Sequence, residues 1–255
     1  MLENDIIIKK EINNHTYLQF RKLLELGINH VITTKDLNFT FKHQTLEELQ
    51  ENIHIVCTDN NFNEQNFSRP EQTHSNNVEI VKEVGLNKVL NTDGLITHQK
   101  DIPLGITTAD CIPIIIYDPI KQVIANVHSG WKGTLNKIVL NAVKKMQQEY
   151  DCNIEDLLFF FGPSICQDCF EVEEEVKKMF EDVFGNKYIK TGDIINGIQK
   201  YYIDLNNINL EMLTSIGVPQ KNVYISNICT RCNHDKLHSY RASKDFKLLI
   251  TIITL

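Results

Sequence analysis

The stretch Gln122-Val-Ile-Ala-Asn-Val-His128-Ser-Gly130-Trp-Lys132-Gly133, running on through Thr134-Leu-Asn-Lys-Ile-Val-Leu-Asn-Ala-Val-Lys-Lys-Met-Gln-Gln-Glu-Tyr150, decides the fold class. Val123, Ile124, Ala125 and Val127 form a short apolar run suited to a buried strand that ends at His128. A turn bracketed by Gly130 and Gly133 follows. Leu135, Ile138, Val139, Ala142, Val143 and Met146 then recur at three- and four-residue steps, the stripe of an amphipathic helix. A strand that passes into a helix through a glycine turn predicts an α/β or α+β chain.

Nearer the N-terminus, Tyr17–Leu26 reads as a short helix with Gly27 just beyond its end, and Val31–Thr33 as a strand. Asn-rich Asn52–Asn66 is expected to be partly loop, and Val78–Val84 alternates like a strand. Ile112–Tyr117 and Leu157–Phe161 are further strands. Val172–Phe180 and Leu205–Ile216 are helices, the second capped by Gly217. Val223–Ser226 and Phe246–Leu255 close the chain as strands. The expectation is an α/β fold with a mixed sheet and flanking helices. No repeat, low-complexity block or Pro/Gly/Ser linker divides the 255 residues, so residues 1–255 are read as one compact domain.

Composition narrows the partners. Acidic residues outnumber basic ones, 33 to 26, for a net charge of −7, which argues against binding nucleic acid. No apolar run approaches the roughly 20 residues that cross a bilayer, so no membrane partner is expected. The first residues are acidic where a signal peptide is basic, and Ile6–Ile8 is too short for its apolar core. A cytoplasmic location follows. There, seven cysteines read as thiols or metal ligands rather than a disulfide framework. Only Arg21, Arg69, Arg231 and Arg241 stand among the 26 basic residues, so each surviving arginine is a candidate planar donor.

Three segments place a metal-capable side chain at a strand end or turn: Gln72-Thr-His74-Ser75, Thr108-Ala-Asp110-Cys111-Ile-Pro113 and Val127-His128-Ser-Gly-Trp131. Structural zinc sites gather ligands in tight pairs, whereas His74, Cys111 and His128 lie 37 and 17 residues apart. One thiolate and two imidazoles suit an open zinc site, although a lone histidine or a small buried cysteine explains each residue equally well. The turn from Gly130 to Gly133, with Lys132, is a candidate anion cradle, or simply a tight strand-to-helix connection. Cys166-Gln-Asp-Cys169 and Cys229-Thr-Arg-Cys232, with His234 nearby, form two C-x-x-C pairs. Paired C-x-x-C motifs can form a structural zinc site, but their 60-residue separation is far from a zinc-ribbon spacing, so only the fold could join them; neither pair lies in a clear strand-to-helix redox turn, and no role is required of them. Phosphate-loop, dinucleotide, zinc-protease and serine-hydrolase signatures are absent, as is the H-x-E and P-C-x-x-C deaminase pattern.

Gln72-Thr-His74-Ser, Thr92-Asp-Gly94, Thr107-Thr-Ala-Asp-Cys111-Ile-Pro, His128-Ser-Gly-Trp-Lys-Gly133, Gly162-Pro-Ser-Ile, Phe170-Glu-Val172, and Cys229-Thr with Ser239-Tyr-Arg241 follow in this order. The series resembles the laccase-domain family, once called multicopper polyphenol oxidases. That family is now generally described as purine nucleoside phosphorylases with adenosine deaminase activity. The likeness runs from about Arg69 to Arg241.

The resemblance implies zinc, with copper a weaker alternative, held by His74, Cys111 and His128. It further implies phosphorolysis of adenosine, inosine and 5′-methylthioadenosine, and deamination of adenosine. Lys132 and Arg241, with Gly130 and Gly133, are the candidate phosphate and substrate holders. Asp110 is a candidate for orienting a neighbour or moving a proton; Asp93, Glu171 and Asp204 are weaker candidates. The partners expected are purine nucleoside and phosphate, and the chain is expected to be a monomer or homodimer. Departures from the pattern are Lys132 where Arg is usual, Ala242 where a second Arg follows Ser-Tyr-Arg, and the missing Gly-rich N-terminal and Gly-Arg-Met C-terminal segments. Competing readings are amidase editing of peptidoglycan precursors and a degenerate binding protein. Copper oxidation ranks last, since no H-x-H pair exists among the nine histidines.

Overall fold

Apolar runs that carry no polar face become strands covered on both sides. The computed structural model describes residues 2–40, 44–82 and 88–255. A five-stranded sheet runs in the order Ile7–Ile12, His15–Phe20, Asn29–Thr33, Leu249–Thr254, Leu104–Thr108, antiparallel throughout. A six-stranded sheet runs Val223–Ile225, Leu158–Phe161, Ile112–Asp118, Val123–Ser129, Gly94–Thr97, Val78–Ile80. Its central pairings are antiparallel and its two outermost are parallel, so the expected mixed sheet is present.

Alternation along single strands shows how the layers stack. Ile114, Ile116, Phe159 and Phe161 pack with Ala142, Met146, Ile208 and Leu213 of the helices Ile138–Tyr150 and Leu205–Ser215. Ile115, Ile124 and Phe160 instead pack with Leu18, Ile32, Leu104 and Leu249 of the five-stranded sheet. The far side of that sheet, through Tyr17, Val31 and Ile252, packs on Leu49 and Val56 of the helix Leu46–Asn60. The order is helix, sheet, sheet, helices. Burying each of the Leu, Ile, Val, Met and Phe side chains among these contributes about 1.5–3 kcal/mol. Between the sheets, buried Asn126 donates from Nδ2 to the Leu104 carbonyl at 2.9 Å and the Thr251 carbonyl at 2.8 Å.

Several elements differ from the sequence reading. Tyr17–Leu26 is not one helix: the strand His15–Phe20 ends there and only Arg21–Glu25 is helical. Tyr17 and Leu18 face different cores, so two covered faces imitate a helical apolar stripe. Asn52–Asn66 is mostly helix, Leu46–Asn60 followed by the 3-10 turn Glu64–Asn66. A capping box starts it, with Thr45 Oγ1 accepting from Glu48 N–H at 3.1 Å and Glu48 Oε2 from Thr45 N–H at 2.7 Å. The stretch from Gly130 to Gly133 is not a turn: Gly130 is the N-cap of a short helix, Trp131–Leu135, that contains Gly133, and the apolar stripe breaks where Lys137 takes φ 59° before the helix Ile138–Tyr150. Val172 belongs to the short strand Glu171–Val172, and the helix runs Glu174–Phe184. The strand at Val78 covers Val78–Ile80, and Val84 lies outside the described residues. Among the described residues no helix is long and apolar enough to cross a membrane.

Candidate functional site

Antiparallel pairing of Ile112–Asp118 with Val123–Ser129 sets His128 opposite Pro113 and Ser129 opposite Ile112. The thiol of Cys111 therefore arrives beside the His128 ring. His74 comes from the loop after Arg69–Pro70, and its ring meets that of His128 edge-on, centroids 4.9 Å apart. One ligand atom each of His74, Cys111 and His128 lies within 4.8 Å of the others. The three residues drawn from scattered segments are thus brought together, His128 buried, Cys111 half-buried and His74 exposed.

Two clamps hold them. Gln72 Oε1 accepts from Thr107 N–H at 2.9 Å and Thr107 Oγ1 at 2.8 Å, and Gln72 Nε2 donates to the Thr107 carbonyl at 2.7 Å. This fastens the His74 loop to the strand Leu104–Thr108. The second clamp is the buried carboxylate of Asp93. Its Oδ1 accepts from His74 N–H at 3.0 Å and faces His128 Nδ1 at 2.8 Å; its Oδ2 accepts from Ser75 N–H and Ser75 Oγ, both at 2.7 Å, and Thr73 N–H at 3.1 Å. His74 itself takes φ 59°, a left-handed conformation that these bonds stabilise. With Nδ1 committed to Asp93, His128 presents Nε2 to the centre.

Charge in the centre favours a cation. Burial opposes ionisation of Asp93, yet bonds from His128 and Ser75 hold its carboxyl well below the usual range. Burial likewise pushes the Cys111 thiol up, but the neighbouring His128 and His74 outweigh it and bring the thiol below its ordinary value. His128 is driven down by burial and raised overall by Cys111 and Asp93. One thiolate and two imidazoles, with the Asp93 carboxylate behind His128, form a donor set that a soft or borderline divalent ion fits.

Around the centre, Gly130 is buried against it: a Cβ there would stand 3.0 Å from Cys111 Sγ and 3.2 Å from His74 Cδ2. Lys132 is exposed, its Nζ 5.4 Å above the Trp131 ring. Asp110 is buried with φ 82° and accepts from Thr230 Oγ1 at 2.6 Å, Ser239 Oγ at 2.7 Å and Arg241 N–H at 2.7 Å. Arg241 donates from Nη1 to the Glu171 carbonyl at 2.7 Å and stacks over Phe170. Asp204 caps the helix Leu205–Ser215. Sequence reasoning assigns Gln72, Ser75, Thr230 and Ser239 no role; the signal they carry is their place inside the short motifs that make up the resemblance. The structure also gathers the four cysteines of the two C-x-x-C pairs into one cluster.

A sequence profile described as multi-copper polyphenol oxidoreductase laccase matches residues 27–254. The chain is 34% identical over 186 residues to the adenosine deaminase RL5 of an unknown prokaryotic organism, covering 68% of each. It is 32% identical over 238 residues to a purine nucleoside phosphorylase of Clostridium acetobutylicum, covering 91% of this chain and 92% of that one. It spans about half the length of the human and mouse relatives, 50% and 53%. The crystal structure of YlmD from Geobacillus stearothermophilus shares the fold, with a TM-score of 0.87 at 22% identity over 97% of this chain and 98% of that one. Together with the clustered His74, Cys111 and His128, the matches place this chain in the multi-copper polyphenol oxidoreductase laccase family.

Proposed function

We propose that the chain is a zinc-dependent purine nucleoside enzyme. It splits adenosine, inosine and 5′-methylthioadenosine with phosphate into free base and sugar 1-phosphate, and deaminates adenosine with water. Relatives named adenosine deaminase and purine nucleoside phosphorylase support a nucleoside enzyme of this family. The observation that carries the reading is the convergence of His74, Cys111 and His128 on one locus beneath Asp93.

His74, Cys111 and His128 Nε2 would hold zinc, three ligands leaving a fourth position open. Bound zinc supplies Lewis acidity and lowers the pKa of a water to about 7. Asp93 keeps the proton on His128 Nδ1. Gly130, lacking a side chain, lets Cys111 and His74 close against the backbone, and Gly133, inside the helix Trp131–Leu135, lets Ile138 and the His128 carbonyl approach. Lys132 and the remaining guanidinium donors of Arg241 hold phosphate, which attacks C1′ as the glycosidic bond breaks and the purine leaves. Asp110 orients the Arg241 segment by accepting its backbone N–H.

The test incubates metal-analysed protein with each nucleoside, with and without phosphate, and separates the products. Phosphate-dependent free base supports phosphorolysis, and phosphate-independent inosine from adenosine supports deamination. Neither product from a zinc-loaded chain refutes the nucleoside reading.

A further inference from the structure

Four further cysteines meet away from this centre. Strands Leu158–Phe161 and Val223–Ile225 pair in parallel with Phe161 opposite Ile225, so both chains leave the same end of the sheet. Cys166 follows one strand by five residues and Cys229 the other by four. Ser226 N–H donates to the Phe161 carbonyl at 2.9 Å, Ser164 N–H to Ile228 at 3.1 Å and Thr230 N–H to Ser164 at 3.1 Å. These bonds lay the two loops side by side. The sulfurs of Cys166, Cys169, Cys229 and Cys232 all come within 4.8 Å of one another, with Cys169 and Cys232 at 3.5 Å, and all four are free thiols.

We propose that Cys166, Cys169, Cys229 and Cys232 form a second, structural metal site that takes a tetrahedral soft divalent ion, zinc or ferrous iron. A Zn–S bond of about 2.3 Å sets sulfur–sulfur edges of about 3.8 Å in a tetrahedron, between the 3.5 Å pair and the 4.8 Å limit found here. The turns around the sulfurs are those that present thiolates. Cys169 N–H and Phe170 N–H donate to the Cys166 carbonyl at 3.1 and 3.0 Å, and Cys166 N–H points at Cys229 Sγ at 3.4 Å. Four protein ligands leave no open position, so the site is structural. It is independent of the nucleoside reading but adjoins that locus. Thr230, within the second pair, donates to Asp110, and Arg231 donates to the Cys169 carbonyl at 3.2 Å. A metal here would therefore pin the Asp110 support.

The test is metal analysis of the full chain, purified under reducing conditions and reconstituted with zinc alone. Two metal ions per chain are expected in the native sequence. One should remain in His128→Ala, and one in the double variant Cys169→Ser/Cys232→Ser, with a thermal midpoint several degrees lower. Cobalt substitution should give a strong sulfur-to-metal absorption in His128→Ala, reporting four thiolates without reference to activity. Iron in the second site of the isolated protein also supports the assignment and identifies the ion. A His128→Ala chain without bound metal overturns it. So do fewer than seven titratable thiols in the native sequence after metal removal and unfolding in denaturant, which exposes the buried Cys57 and Cys152 and would leave only disulfides to account for the deficit.

Discussion

Replacing Asp93 by Asn keeps the size of the side chain and removes only its charge and one acceptor. The Asp93 carboxylate accepts from the amides of Thr73, His74 and Ser75 and faces His128 Nδ1, none of which can accept in return, and also accepts from the Ser75 and Thr73 hydroxyls. The introduced carboxamide would therefore face donors in either orientation. With its Nδ2 toward the Ser75 side, two backbone amides lose their acceptor. With Nδ2 toward His128, the His74 amide is orphaned and the ring must move its proton to Nε2, the nitrogen the centre needs. Each buried orphaned donor costs about 1–3 kcal/mol, so Asp93→Asn should lose about 2–6 kcal/mol of stability. Metal affinity should also fall about 10–100-fold, as when an outer partner of a metal-bound histidine is lost. Urea unfolding of the metal-stripped chain measures the first quantity, and competition with a chromophoric zinc chelator measures the second. A variant matching the native chain in both would refute the clamp.

Gly130→Ala should weaken zinc binding about tenfold with little change in metal-free unfolding, since its methyl group would meet Cys111 Sγ at 3.0 Å and push a ligand by a few tenths of an ångström; chelator competition reads the loss. Asp110→Asn should lower kcat/KM for phosphorolysis about 10–100-fold through weakened charged hydrogen bonds, while zinc content per chain stays unchanged. His30 is buried, its Nδ1 within 2.9 Å of the Ile28 carbonyl and its Nε2 accepting Phe20 N–H at 2.7 Å, and burial holds it down at about 4 against 6.5. The unfolded chain thus binds more protons between these values. The contribution of His30 is full above pH 6.5 and fades as pH falls through 4, so native protein should lose about 3 kcal/mol more than His30→Gln between pH 7 and 4 in paired urea melts. Asn126→Leu should cost about 1–3 kcal/mol by removing two inter-sheet hydrogen bonds, and should weaken zinc binding; unchanged unfolding and zinc titrations would count against it.

In the unit from Gln122 to Tyr150 the strand and the helical stripe are legible because each carries a local signal, whereas the glycines that read as a turn open a first short helix, Trp131–Leu135. His74, Cys111 and His128 are legible only through a series of short motifs, since a cluster assembled from separate strands and loops has no spacing of its own. The strand His15–Phe20 reads wrongly as helix because Tyr17 and Leu18 are both covered, which erases the alternation expected of a half-exposed strand. The Asn-rich segment, expected to be partly loop, is loop only at residues 61–63, because the Thr45–Glu48 cap and the packing of Leu49 and Val56 outweigh asparagine's modest reluctance to be helical. The cysteine pairs are illegible for a topological reason. The loops are neighbours because their strands are parallel, and a parallel pair requires a long crossover, here the residues between Cys169 and Cys229.

Asn126 bears on how this site keeps its accuracy. In a strand filled with Val, Ile and Ala, one apolar residue can stand in for another two positions along, and packing alone tolerates a slide. The amide bridging the Leu104 and Thr251 carbonyls tolerates none, because moving it would abandon both acceptors inside an oily interface. It works as an index mark. His128 lies two residues further along the same strand, so its ring inherits its place in the sheet from a side chain that never touches the centre. Sequence drift in the surrounding core can then proceed while the chemistry stays aligned.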